Sequence, residues 1–348
     1  MPTVRYRSLI PAPAEELFAW HARPGAFERL VPPWQKLEIA FRGGGIRDGD
    51  RLAMDLKAGP FRKRWLALHS DYVEGEQFRD TQVEGPFRRW VHTHRVHPAG
   101  DETSVLDDKI EYELPGGPPA ALLVGAIASQ QVRRMFRFRH LRTRNDLLRH
   151  QMYRDRERIC VAIVGSGHRV AQLSAFLAGG GHTIVENGQA DFVVDLSHLS
   201  GENPTSRVDL RSDATWISVL PVSADSFSTL RFPRHLTIWT PAIVGAGPSN
   251  PFSRTAVSIQ GSFKGVDDDK KVPWLAEDDL SGVIHSVMMD GIMSQDVMAR
   301  APILALASEI QRATGRIPSD GELDVPAFDF DYLYPSLGAA VGAMNGRL

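Results

Sequence analysis

The sequence predicts two domains of different class, an α+β domain with an antiparallel sheet and an α/β domain with a parallel sheet. Three observations carry that reading. Residues 1–152 hold short alternating segments separated by glycine and proline turns, and they end in one long amphipathic stretch. Residues 158–348 instead alternate short apolar runs with helical patterns. The change falls at a short charged linker, 153–157 (YRDRE).

Bulk properties bound the function. The chain has 348 residues, enough for two cores, with 43% hydrophobic and 24% charged residues, as in ordinary globular proteins. A net charge of −2 does not point to nucleic acid as a partner. No run approaches the roughly 20 apolar residues of a membrane span, and the N-terminus lacks the apolar core of a secretory signal. A cytoplasmic protein is expected. The single cysteine, Cys160, excludes an internal disulfide and any zinc site needing several thiolates. It is read as a core thiol of a buried strand.

In the first domain, 4–10 alternates as a strand and ends at Pro11 and Pro13. A short helix at 14–20 and a helical turn within 23–33 follow, the latter closed by Pro32-Pro33. Strands are expected at 37–42, 50–56, 63–72, 77–83, 88–97 and 103–114, each bounded by turn chemistry such as Asp48-Gly49 or Glu84-Gly85-Pro86. The breaker at 115–119 (PGGPP) precedes a long helix over 122–152. Met135, Phe138, Leu141 and Leu148 are assigned to its apolar face, and its arginines to a solvated basic face or an anion contact.

The order strand, two short helices, six strands and long helix, with AEELFAWHARPGAFERLVPPW and GPFRRWVHTHRV, resembles the helix-grip fold of the START/Bet v 1-like, SRPBCC, polyketide cyclase/dehydrase superfamily. The resemblance implies a lipophilic small molecule in a tunnel between sheet and helix. Trp65, Trp90, His92, His94, Met135, Phe138 and Leu141 are the expected tunnel residues. Alternation puts Trp90, His92 and His94 on one strand face, with His97 off it. His92 and His94 are the candidates for general acid/base catalysis. Together with an acid such as Glu84 or Asp107 they have the types of a zinc or iron site, but no ligand spacing is diagnostic and no metal is expected.

In the second domain, strands are expected at 159–164, 182–185, 191–196, 215–220 and 236–240, and helices at 169–178, 277–289 and 302–314. The stretches VAIVGSGHRV…GGGHTIV, ADFVVDLSHLSGEN, LTIWTPAIVGAGPSNPF, VPWLAEDDLSGVIHSVM and FDFDYLYPSLGAAVGAM resemble, in order, the NAD(P)-dependent epimerase family of extended short-chain dehydrogenases. The resemblance implies a Rossmann-like fold and a small C-terminal module at about 318–348. It also implies a nucleotide loop at Gly165, Ser166, Gly167 and His168, with Glu186 placed for a ribose hydroxyl.

The chain departs from that family where the chemistry lies. The family's third glycine position is Ala171 or Val170, and His168 stands where backbone should approach a phosphate. The family's Tyr-x-x-x-Lys pair is missing: no tyrosine lies between Tyr153 and Tyr332, and the lysines there are Lys264, Lys270 and Lys271. Standard short-chain dehydrogenase chemistry cannot be written, and NAD(P) is a doubtful cofactor. Binding of a lipophilic molecule beside a degenerate scaffold or regulatory domain is the leading expectation. An enzyme, NAD-dependent through other residues or a non-redox cyclase or dehydratase in the tunnel, is the alternative. A subunit of a homo-oligomer or larger protein assembly is a third.

Overall fold

A computed structural model describes residues 2–58, 61–186, 189–200, 213–222, 234–246, 257–260, 268–292, 296–314 and 327–346. The chain divides into two compact units, with the change at Met152/Tyr153.

The first unit runs β1 (Thr3–Ile10), α1 (Ala14–Ala22), α2 (Ala26–Leu30), β2 (Lys36–Gly43), β3 (Arg51–Ala58), β4 (Phe61–Val73), β5 (Gln77–Glu84), β6 (Arg89–Gly100), β7 (Thr103–Glu113) and α3 (Gly117–Gln151). The strands form one antiparallel sheet in the order β1-β7-β6-β5-β4-β3-β2. Consecutive strands are neighbours because tight turns join them, and β1 closes against β7 in register from Thr3↔Glu111 to Ile10↔Ser104. One face of the sheet is apolar. Val4, Trp90, Ile110 and Tyr112 pack there against Val132, Met135 and Phe136 of α3. A second cluster joins Leu17, Phe18 and Trp20 of α1 to Phe78, Val96, Leu106 and Leu147.

Helix α3 begins five residues before the expected start at 122. Gly116 caps it at φ 87°, and prolines occupy the first turn. First-turn amides have no intrahelical partner, so proline costs nothing there. The breaker is therefore a starter. Arg29 and Asp146, each nearly fully buried, meet in a paired contact at 2.7 Å that ties α2 to α3. The arginine face of α3 is not simply solvated. Arg134 lies over the Trp34 ring at 3.9 Å, Arg139 donates to the Leu30 carbonyl at 3.2 Å, and Arg149 is buried.

The second unit runs β8 (Cys160–Val164), α4 (His168–Gly179), β9 (Thr183–Val185), β10 (Phe192–Asp195), α5 (Ser197–Ser200), β11 (Thr215–Pro221), β12 (His235–Thr240), β13 (Ala242–Ala246), β14 (Val257–Gln260), β15 (Lys271–Val272), β16 (Trp274–Ala276), α6 (Glu277–Asp290), β17 (Val297–Met298), β18 (Ala305–Leu306), α7 (Ala307–Thr314) and α8 (Leu337–Met344). Its main sheet has the order β17-β12-β11-β10-β8-β9, parallel throughout. The order turns back at β8, so the β8-α4-β9 crossover opens a doubly wound fold. Leu173, Phe176 and Leu177 of α4 and Leu280, Val283, Ile284 and Val287 of α6 share a core with Val161, Val194, Ile217 and Ile238 of the strands.

Two expectations shift here. Helix α7 starts at Ala307 rather than 302, because Ala305–Leu306 first pairs with Lys271–Val272 as a short antiparallel ladder. Cys160 opens β8 half-buried rather than deep in the core. Of the C-terminal module, residues 327–346 are described. Asp279 at the start of α6 accepts from the Leu333 amide at 2.8 Å, so the acidic first turn anchors that segment as well as favouring the helix dipole. Among the described residues no helix is long and apolar enough to cross a membrane.

Candidate functional site

The first unit holds a cavity of about 540 Å³ between the sheet, α1 and α3. Most of its wall is apolar, including Leu52, Met54, Leu56, Ala67, Phe87 and Val132. Of the residues expected along a tunnel, Trp65, Trp90, His92, His94 and Met135 lie on the wall of this cavity. Phe138 and Leu141 do not: Phe138 packs edge-on to Trp34 at 5.4 Å, and α3 turns Leu141 away. The helix supplies Ala128, Gln131, Val132, Met135 and Arg139 instead. A step of three residues falls about 60° short of a full turn, so two such steps from Met135 carry Leu141 about 120° round the helix.

One side of this wall is polar and buried. His92 and His94, two apart on β6, point inward together with ring centroids 3.7 Å apart. Register places Asp80 of β5 opposite His92, and Asp108 of β7 opposite His94. Both rings stand between the two carboxylates. Asp80 Oδ2 lies 2.9 Å from His92 Nδ1 and 3.4 Å from His94 Nε2. Asp108 Oδ1 lies 3.4 Å from His92 Nε2 and 2.8 Å from His94 Nδ1, with neither contact aligned as a hydrogen bond. Behind them His140 Nε2 donates to Asp108 Oδ2 at 3.0 Å, while His140 Nδ1 stands 3.0 Å from Ser8 Oγ. Asp80 lines the cavity and Asp108 does not.

Burial and charge oppose each other in this cluster. Burial works against a charged His92, but Asp80 and Asp108 outweigh it and raise the imidazole to about 9. Burial likewise disfavours ionised Asp80 and Asp108, yet the adjacent histidines hold both carboxyls well below their usual range. His21, farther along the same wall, is pushed down to about 4, by burial first and His94 second. His69 is lowered by burial. The cavity thus has an apolar body and one end where protons and charge are tightly placed.

Sequence reasoning paired the histidines with the wrong acids. Glu84 ends β5 exposed at its edge, and Asp107 faces outward to Arg5 at 2.8 Å, Arg7 and His97. Adjacent residues of a strand face opposite ways, so only Asp108 of the Asp107-Asp108 pair turns inward. Asp80 was missed although it shares the alternating phase of inward-facing Phe78 on β5.

In the second unit Gly165 has φ 117° and Gly167 φ 86°, and α4 starts at His168. A side chain at Gly165 would meet the Ser197 backbone nitrogen at 3.0 Å, so the tight turn needs glycine there. Glu186 follows β9 and is exposed. The start of α4 carries its own counter-charge. The Glu277 carboxylate, 9% exposed, lies 3.6 Å from His168 Nε2 and 3.5 Å from Arg169 Nε. Burial opposes its ionisation, but these two neighbours keep it lowered. A nicotinamide dinucleotide fits poorly here: the Glu277 carboxylate sets a negative charge beside the start of α4, where the helix N-terminus would otherwise favour a pyrophosphate. Ser218, one candidate for the family's serine, is buried on β11, with Oγ accepting from Trp216 Nε1 at 3.1 Å and 3.0 Å from His235 Nε2. Ser223, the other, lies outside the described residues.

Residues 10–138 match the family of polyketide cyclase / dehydrase and lipid transport proteins. They form a polyketide cyclase/SRPBCC domain. A nucleoside-diphosphate sugar epimerase from Corynebacterium glutamicum superposes with a TM-score of 0.69 at 18% identity, covering 99% of this chain and 90% of that one. The two chains share a fold, which for this protein is a helix-grip domain followed by a Rossmann-like one. TTHA0849 from Thermus thermophilus aligns over 41% of this chain and 97% of its own at 24% identity, with a TM-score of 0.32. Norcoclaurine synthase from Thalictrum flavum aligns over 37% of this chain and 82% of its own at 20% identity, with a TM-score of 0.29. No curated protein matches the sequence.

Proposed function

We propose that the SRPBCC domain binds an apolar small molecule bearing one polar end, and that the Rossmann-like domain serves as a scaffold without dehydrogenase chemistry. The cavity carries the reading: its volume suits a ligand of roughly 300–1,000 Å³ sites, and its polar groups converge on one side at Asp80, His92 and His94. The apolar body would sit against Met54, Trp65 and Trp90, and the polar end against the histidines. The absent Tyr-x-x-x-Lys pair and the Glu277 carboxylate support the scaffold role.

Native mass spectrometry of undenatured protein tests both halves. A retained hydrophobic adduct without nucleotide is expected. A retained nicotinamide nucleotide, or dehydrogenase turnover lost on altering the second domain, would overturn the scaffold half. Unchanged Trp65 and Trp90 fluorescence across a panel of apolar probes would overturn the binding half.

One observation favours a second reading, non-redox acid/base catalysis in the same cavity. Histidines held between two carboxylates are a proton relay facing the ligand space. Full turnover of a candidate substrate by His92→Ala and His94→Ala would remove it.

A further inference from the structure

We propose that Asp80, His92 and His94 form a site for one divalent transition-metal ion, with its open coordination positions facing the cavity. The three donors come from two adjacent strands, and their ligand atoms lie within 4.8 Å of one another. The separations suit a common ion. Two donors about 2.1 Å from a metal stand about 3.0 Å apart at octahedral angles and about 3.4 Å apart at tetrahedral ones. Asp80 Oδ2 is 2.9 Å from His92 Nδ1 and 3.4 Å from His94 Nε2.

The surroundings match what such a centre requires. A metal-bound imidazole gives its other N–H to a carboxylate or carbonyl, which fixes the ring and its tautomer. Asp108 Oδ1 stands beside the remaining nitrogen of each ring, 3.4 Å from His92 Nε2 and 2.8 Å from His94 Nδ1, within reach of that role once the rings turn to an ion. His140 in turn holds Asp108 from behind at 3.0 Å. Asp108 is thus the supporting carboxylate and Asp80, which lines the cavity, the ligand. Two imidazoles and one carboxylate are a borderline donor set. They select zinc, iron, cobalt or manganese over calcium or magnesium, which prefer oxygen.

Charge narrows what sits on the open side. Asp80 and Asp108 bring two negative charges, and Arg139 lines the same wall with one positive charge. Adding a divalent ion leaves a net positive charge over neutral imidazoles. An oxygen anion completes the balance, so the ligand end is a phenolate, enolate or carboxylate. This last step rests on the proposed binding of an apolar molecule; the metal site does not.

Cobalt(II) alone tests the metal site, because its visible d–d absorption reports coordination without any organic ligand. The full chain, stripped with chelator, should take up one equivalent with a dissociation constant in the micromolar range or below. Asp80→Asn and His94→Ala should each weaken uptake more than 100-fold, and Asp108→Asn by about 10–100-fold. His97→Ala, on the outer face of the same strand, should leave uptake unchanged. Far-UV circular dichroism identifies folded variants, with His94→Gln as the substitute if His94→Ala unfolds. No stoichiometric uptake by folded wild-type protein overturns the site, as does uptake that Asp80→Asn leaves intact. Loss of apolar-probe binding with cobalt uptake intact would sink the ligand reading alone.

Discussion

The cavity of the first domain and the glycine turn of the second each place a buried carboxylate beside histidine, to opposite effect. At the cavity, Asp80 and Asp108 hold two rings that line a mostly apolar cavity. At the turn, Glu277 lies against His168 and Arg169 at the start of α4, the end of a helix that favours negative charge. One arrangement sets its paired charges on the wall of a cavity. The other satisfies its charges within the protein. Both places balance charge within the protein, and they differ in whether the balanced groups border a cavity or a helix start.

The largest expected effect breaks the cavity side of this contrast. Asp108→Ala strands three imidazoles around a buried void and should cost about 3–5 kcal/mol, read as a shift in the urea midpoint. Asp107→Ala, next along β7 but paired outward with half-exposed Arg5 and Arg7, should cost about 1 kcal/mol or less. Equal costs would erase the distinction between the two faces.

Filling the volume should matter more for binding than for stability. Ala67 is buried and lines the cavity from β4. Ala67→Phe should lower apolar-probe affinity at least tenfold while costing about 1–3 kcal/mol of stability, measured by fluorescence titration and denaturant unfolding. At the turn, Glu277→Gln removes the competing charge. It should raise pyrophosphate affinity by about tenfold, read by calorimetry, whereas unchanged affinity would show that the carboxylate is not what disfavours phosphate.

The smallest expected effect concerns pH in the second domain. His182 Nδ1 accepts the Ile159 amide at 3.2 Å, and its Nε2 meets His285 Nε2 at 2.9 Å. Burial first, then Arg158, pushes it down to about 4. The unfolded chain, with histidine near 6.5, binds the proton more readily. The stability from neutral His182 is therefore complete above about pH 6.5 and lost as pH falls toward 4. His182→Asn should flatten that slope in denaturant midpoints taken across the range; an unchanged slope would assign it to other groups.

Much of the fold was legible because the residues repeat with the period of their elements. Alternation through 88–97 placed His92 and His94 on one face, and the apolar runs of the second domain became parallel strands. The cluster itself was only half legible. Asp80 and Glu84 share a strand face, and which of them meets His92 depends on the β5–β6 register, which runs unbroken from Gln77↔Arg95 to Thr81↔Val91. That register is fixed by where the turn between the strands closes, which alternation within one strand does not encode. Leu141 was misplaced because a run of threes mimics a helix face for one turn and then drifts off it. Pro118 and Pro119 read as a stop because composition alone does not distinguish the first turn of a helix from its interior.

The neighbouring aspartates of β7 carry a consequence for chain insertion and deletion. Asp107 is held outside by Arg5 and Arg7, and Asp108 inside by His140, so the strand is pinned from both faces at consecutive residues. Removing one residue from the β6–β7 hairpin turn would exchange the two. Each aspartate would then face the other's partners, and every apolar neighbour on β7 would reverse with it. An odd change in the length of that turn therefore costs the pairing on both faces of the strand at once.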